Sequence, residues 1–261
     1  MKEAQERWAR SLAEWAIPSE ILNHAQESPW IHPPILFQIP KEIPTTISYE
    51  RALAGFPVDG TALDIGCGGG IASIALIPPA AHVIGVDHQS EMLAMFAENA
   101  KKREVTCQVF EGFWPEVAPL VPSADVVLCH HVVYNVSEIG EFLLALNSHA
   151  RSRVVIEMPT RHPLSNLSAA WKHFWNLDRP QQPTAEDLME VLKEIGIKAE
   201  IQYWSGQLRD RIDIDQDSDF MRVRLCLPPE RLGEVRAYLL AHPLPTHREI
   251  ATIWWNVNAE I

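Results

Sequence analysis

The chain has 261 residues, 47% of them hydrophobic, and a formal net charge of −12. That acidity excludes an ordinary nucleic-acid partner, since phosphate binding is driven largely by Lys and Arg, and it suits a small, neutral or cationic substrate. The N-terminus is charged throughout, no apolar run approaches the ~20 residues of a membrane span, and Cys67, Cys107, Cys129 and Cys226 form no CxxC pair, which implies a reduced, soluble, cytoplasmic protein with no membrane partner.

Residues 3–16 place Trp8, Leu12 and Trp15 at helical spacing, and Pro18 ends that helix. Ser19 can cap a second short helix through about residue 24. A proline-rich connection follows, with Pro29, Pro33, Pro34, Pro40 and Pro44, yet it also carries Trp30, Ile31, Leu36 and Phe37. Residues 1–57 therefore read as a helical and irregular cover over the mouth of a main domain, or as a strap along its back.

Residues 58–261 form that main domain. The run 61–65 (TALDI) reads as a buried parallel strand, followed by a glycine turn and an apolar helix over 71–77. A second strand over 82–86 ends at Asp87. A helix then carries Met92, Leu93, Phe96, Ala97 and Ala100 on its apolar stripe. Strands follow at 105–110, 124–129 and 153–158, with a helix capped by Ser137 between the last two. Between residues 159 and 183 Leu164, Leu167, Trp171, Phe174 and Trp175 recur at helical spacing and mark an insertion. Thr184 and Asp187 fit a capping box, with Gly196 as the stop. A sixth strand at 197–204, a second insertion over about 205–245 broken at Pro228-Pro229, and a seventh strand at 249–257 complete the chain. Alternating strands and helices with short links predict an α/β fold, a doubly wound, mostly parallel seven-stranded sheet.

The central stretch is Asp64-x-Gly66-x-Gly68-x-Gly70, directly after the first strand and directly before a helix. Such a turn lets backbone N–H groups approach a ligand with no side chain in the way. A strict dinucleotide fingerprint would place glycine where Ile71 stands, and it lacks the acid at position 64. The pattern resembles motif I of the class I S-adenosylmethionine-dependent methyltransferases. Asp87 lies 21 residues after Gly66, where a carboxylate can accept both hydroxyls of a ribose. Glu111-Gly112-Phe113-Trp114 and Cys129-His130-His131 fall where the family has its later motifs, although many members carry an Asp near Gly112.

The resemblance covers residues 55–158 and implies S-adenosylmethionine as cofactor, with S-adenosylhomocysteine as product. It implies cofactor contacts from Asp64, Gly66, Cys67, Gly68, Asp87, His88, Met92, Gly112, Phe113, Trp114, Cys129 and His130. The reaction it implies is an in-line displacement onto a small-molecule acceptor, through an activated methyl group. Two rivals stand beside it: an NAD-dependent oxidoreductase using Asp87 on the ribose, and a non-catalytic module that binds cofactor or a protein through its Trp-rich cover.

A general base matters only if the acceptor must lose a proton. Its candidates lie at the C-terminal strand ends: His130, His131, Tyr134, Glu157 and His162. His131 and His162 are the two taken as catalytic, and each also reads as a hydrogen-bonded structural residue. Tyr134 and Glu157 are taken with Trp30 and Trp171 as substrate pocket. Trp30, Phe37, Trp114, Trp171 and Trp175 could form an apolar pocket, a cage for a cationic amine, or core between the insertion and the sheet. Adjacent strand residues face opposite ways, which discounts a metal at Cys129, His130 and His131.

Overall fold

A computed structural model describes residues 2–30, 39–40, 45–208 and 213–257. The apolar runs become strands β1 (Thr61–Ile65), β2 (His82–Asp87), β3 (Thr106–Glu111), β4 (Ala124–His130), β5 (Ala150–Pro159), β6 (Glu200–Gln207) and β7 (His247–Asn256). They form one sheet in the order β3-β2-β1-β4-β5-β7-β6. The first five are parallel, and β7 runs antiparallel to both β5 and β6. Continuous apolar strands such as β1 and β4 occupy the centre because both their faces are covered.

Helices α1 (Glu3–Ala13), α2 (Ser19–Leu22), α3 (Ile47–Leu53), α4 (Ile71–Ile74), α5 (Ser90–Lys102), α6 (Ile139–His149), α7 (Ser168–Trp175), α8 (Ala185–Glu194), α9 (Ile214–Arg224) and α10 (Leu232–Ala241) complete the described structure. One sheet face is buried by α3, α4 and α5, through Ala52, Ile74, Leu93, Phe96 and Ala100. The opposite face is buried by α1, α6 and α8, through Trp8, Phe142, Leu143, Leu146, Leu188 and Val191. The Thr184–Asp187 capping box forms at the start of α8. The expected cap at Ser137 does not form; α6 starts after Glu138, without a side-chain cap.

A third core joins Ile17 and Ile21 to Trp171, Met221, Leu225, Val235 and Leu239. Its position follows from the topology. β5 and β6 end, and β7 begins, at the C-terminal edge of the parallel strands. The helices inserted at those breaks therefore stack above that edge, where open α/β sheets bind ligands.

The N-terminal segment divides between these layers. Trp8 is buried and donates its ring N–H to the Val136 carbonyl at 2.8 Å. The Glu194 carboxylate accepts the Ala4 and Gln5 backbone N–H groups at the start of α1, where negative charge is favoured. Helix α3, absent from the sequence reading, is capped by Thr46 and lies on the other face, against β5 and β7. Phe37 and most of the proline-rich connection lie outside the described residues.

Candidate functional site

After β1 the chain turns through Gly66, Gly68 and Gly70, with φ of +68°, +50° and +88°. L side chains rarely adopt that region. At Gly66 the constraint is also spatial, because a Cβ there would collide with Val132 Cγ2. The Gly66 and Cys67 N–H groups donate to the Val86 carbonyl at 2.8 and 3.0 Å, which locks the turn to β2. Asp64 lies beneath the turn. One of its oxygens accepts the Ser73 hydroxyl at 2.8 Å and the Ser73 N–H at 3.3 Å. Burial pushes its carboxyl up to about 7, against the Ser73 hydrogen bonds and with help from the Asp87 charge.

Asp87 closes the other side. Its two oxygens accept the Gly68 and Gln89 backbone N–H groups, each at 3.0 Å. Each carboxylate oxygen keeps a further acceptor site, which is the capacity a ribose diol requires. His88 and Phe113 stack 4.8 Å apart at 19° beside this carboxylate, and Phe113 is 65% exposed. Gly112 donates its N–H to the Asp87 carbonyl at 3.0 Å, and Met92 is buried on α5.

Three expected contacts are placed differently by packing. Trp114 is turned into the core, where its N–H donates to the Phe142 carbonyl at 3.4 Å and its ring meets His149 edge-on. Cys67 and Cys129 point into the two sheet cores, and burial pushes both thiols up. These residues can meet a ligand at the turn or strand end through backbone alone.

At the ends of β4 and β5 the structure joins His131 to Glu157. The His131 N–H donates to the Glu157 carbonyl at 2.7 Å, and its Nε2 lies 3.1 Å from Glu157 Oε1. His131 adopts a φ of +62°, unusual for this residue type. With the carboxylate as acceptor, Nε2 carries the proton and Nδ1 is left to accept. Burial alone would raise Glu157. The charges of His130 and His131 and hydrogen bonds from His131 and Ser48 outweigh it and hold Glu157 down to about 2. Burial lowers His130, whose Nε2 is buried and makes no hydrogen bond among the described residues.

A polar chain that was not anticipated from the sequence supports Glu157. The Trp204 N–H donates to the Thr252 hydroxyl at 2.9 Å, and that hydroxyl lies 2.7 Å from the Ser48 hydroxyl. Trp204 can only donate, so the protons run from Trp204 through Thr252 and Ser48 to Glu157. Thr252, a hydroxyl inside the apolar run ATIWW, was the available signal.

His162 is elsewhere. Its ring stacks on Trp15 at 4.0 Å and meets Tyr134 edge-on at 5.2 Å. Its Nδ1 accepts the Leu164 N–H at 3.3 Å. Burial, with the Arg179 charge, lowers it to about 4. A neutral imidazole wedged between two aromatic rings joins the cap to the N-terminal segment, an environment that disfavours its taking up a proton and so speaks against the catalytic expectation for His162. Tyr134 is buried, donates to the Pro159 carbonyl at 2.9 Å and stacks on Trp8. Trp171 belongs to the third core, whereas Trp30 is half exposed. Among the described residues, no helix is long and apolar enough to cross a membrane.

Comparison with known proteins agrees with this architecture. Residues 62–152 match a family described as a methyltransferase domain. A ubiquinone biosynthesis O-methyltransferase of Aeromonas salmonicida is 34% identical over 108 residues, 40% of this chain and 45% of that protein. A ribosomal protein L11 methyltransferase of Teredinibacter turnerae is 33% identical over 105 residues, 40% of this chain and 35% of that protein. The chain thus spans less than half the length of these curated relatives. The YcgJ protein of Bacillus subtilis superposes with a TM-score of 0.55 at 15% identity, covering 79% of this chain and 98% of that one, which speaks to the fold. Residues 62–152 thus carry a methyltransferase domain, and the glycine turn, the sheet order and these matches support its being of the class I type that uses S-adenosylmethionine.

Proposed function

We propose that this protein transfers a methyl group from S-adenosylmethionine to a small-molecule acceptor. The observation that carries the reading is the placement of the Asp87–Gly68 clasp and the His131–Glu157 pair at one sheet edge, under a helical cap with its own core. The bound cofactor supplies a methyl group made electrophilic by the adjacent sulfonium.

The protein's own residues then bind, orient and accept a proton. Asp87 takes the ribose hydroxyls, the backbone of residues 66–70 takes the amino-acid end, and His88 and Phe113 flank the adenine. Asp64 acts from beneath, by bracing the turn against Ser73. His131 receives the acceptor proton on Nδ1, while Glu157 fixes its ring and stabilises the resulting imidazolium. Alignment of acceptor and methyl group provides most of the acceleration, roughly 7–11 kcal/mol in favourable cases.

The sheet also separates this reading from the dinucleotide alternative. A doubly wound dinucleotide fold has strand order 3-2-1-4-5-6, whereas here antiparallel β7 stands between β5 and β6. Calorimetric titration with S-adenosylmethionine, S-adenosylhomocysteine and NAD tests the cofactor. The first two bind and NAD does not; binding of NAD alone overturns the proposal. Radiolabelled methyl transfer to pooled small metabolites, against transfer to pooled proteins, then tests the acceptor class, and label in protein alone defeats the small-molecule reading.

A further inference from the structure

β7 runs past the end of β5. Glu157 pairs with Thr252 and Pro159 with Ile250, so Arg248 stands beyond the last paired residue of β5, at the edge that carries the candidate site. Alternate strand residues share a face, which puts Arg248 on the same side as Thr252 and Glu157. Its neighbour on β6 is Gly206, which has no side chain to cover it. Tyr203, Trp204, Ser205, His247, Arg248 and Glu249 line a cavity of about 320 Å³. That volume falls at the lower end for small-ligand sites.

Arg248 is half-buried, and it differs from the buried Arg179 and Arg222. Arg179 donates to the Trp15 and Ala16 carbonyls. Arg222 pairs with Glu27 and Asp219 at 2.7 and 2.8 Å. The Arg248 guanidinium makes no hydrogen bond or ion pair among the described residues. Burial lowers its pKa, and the opposing influences are Glu157 and Tyr134. A part-buried cation without a partner is costly to keep, and a guanidinium fork matches a carboxylate in shape and charge.

We propose that Arg248 is the anion-recognising side chain of the acceptor pocket, and that the methyl acceptor is a small aromatic molecule bearing a carboxylate. The inference rests on the methyltransferase reading above and names its substrate class. The Trp204 ring, on the same side of the sheet as Arg248 and Thr252, favours a flat apolar body, whereas Tyr203 faces the other side and donates to Glu186. One cation beside the anionic Glu157 suits a single negative charge; a phosphate dianion would face uncompensated repulsion. The net charge of −12 does not oppose this, because exposed charges farther than about 8–10 Å are screened while the adjacent Arg248 is not.

Benzoate and benzamide, which differ in charge at nearly constant shape, test the site. Each is titrated by calorimetry into protein saturated with S-adenosylhomocysteine, for the parent, R248Q and R248K. Benzoate binds the parent at least about tenfold tighter than benzamide; R248Q abolishes the difference and R248K keeps part of it. Affinity for S-adenosylhomocysteine stays the same in all three, which reports an intact fold. Equal binding of the two probes to the parent, no binding of either up to ~10 mM, or an unchanged preference in R248Q overturns the proposal. Failure of the parent to bind S-adenosylhomocysteine counts against the methyltransferase reading instead, and the same benzoate titration on protein alone then decides the anion site separately.

Discussion

The Asp87 carboxylate accepts the backbone N–H of Gly68 at 3.0 Å, so the end of β2 and the glycine turn after β1 form one rigid clasp. Asp87→Ala removes both the clasp and the acceptor for a ribose diol. Affinity for S-adenosylhomocysteine falls at least tenfold, consistent with the loss of about 1.5–3 kcal/mol from charge-assisted hydrogen bonds. Calorimetry measures it, and parental affinity in the variant would remove Asp87 from the site.

Gly66→Ala strains the turn twice. The left-handed backbone costs an L residue about 1–2 kcal/mol, and the new Cβ meets Val132. The melting temperature and cofactor affinity both fall. Adding Val132→Ala relieves the contact but not the backbone, so the double variant recovers part of the loss. Full recovery, or none, contradicts this division.

His131→Gln lowers kcat by about 10²–10⁴-fold for an acceptor that must lose a proton. Glu157→Gln retains the hydrogen-bond geometry without the charge and loses less. Glu157 is held down to about 2 and stays anionic across the working range, so the acidic limb of the rate profile does not belong to it. His162→Gln leaves that limb in place. A limb that disappears with His162 instead of His131 would exchange their roles.

His162 makes stability depend on pH with a definite sign. Its pKa drops from an ordinary 6.5 to about 4 on folding, so between those values the unfolded chain binds more protons. Its stabilising contribution is full above 6.5 and is lost as pH falls through 6.5 toward 4, at up to about 1.4 kcal/mol per pH unit. Urea unfolding from pH 7 to pH 4 measures the slope. In His162→Phe the part due to this group vanishes, and an unchanged slope rules it out.

Thr252→Val breaks the chain from Trp204 to Ser48 while preserving shape. Leaving the buried partners unsatisfied costs about 1–3 kcal/mol. Thr252→Ser restores most of it. Thermal unfolding of the two variants separates loss of the hydroxyl from loss of the methyl group.

The sequence by itself determined the sheet and the glycine turn. Period-two and continuous apolar runs, Asp64 before three alternating glycines, and Asp87 at the end of β2 are local patterns, set by backbone sterics and by what a buried strand requires. The capping box at Thr184 and Asp187 was legible for the same reason. Only the tertiary structure decided which side chains meet. Helix α3 was hidden by its short length, yet it brings Ser48 204 residues along the chain to Thr252. Trp114 and Trp171 were aromatic residues near plausible ligand positions, and packing turned both into cores. His131 and His162 were equivalent as letters. One is side by side with a carboxylate and 41% exposed, whereas the other is stacked under Trp15 and stripped of its proton by burial. The identity of a titratable residue fixes its chemistry, but its neighbours across the fold fix its charge, because solvation and Coulomb interactions depend on distance in space and not along the chain.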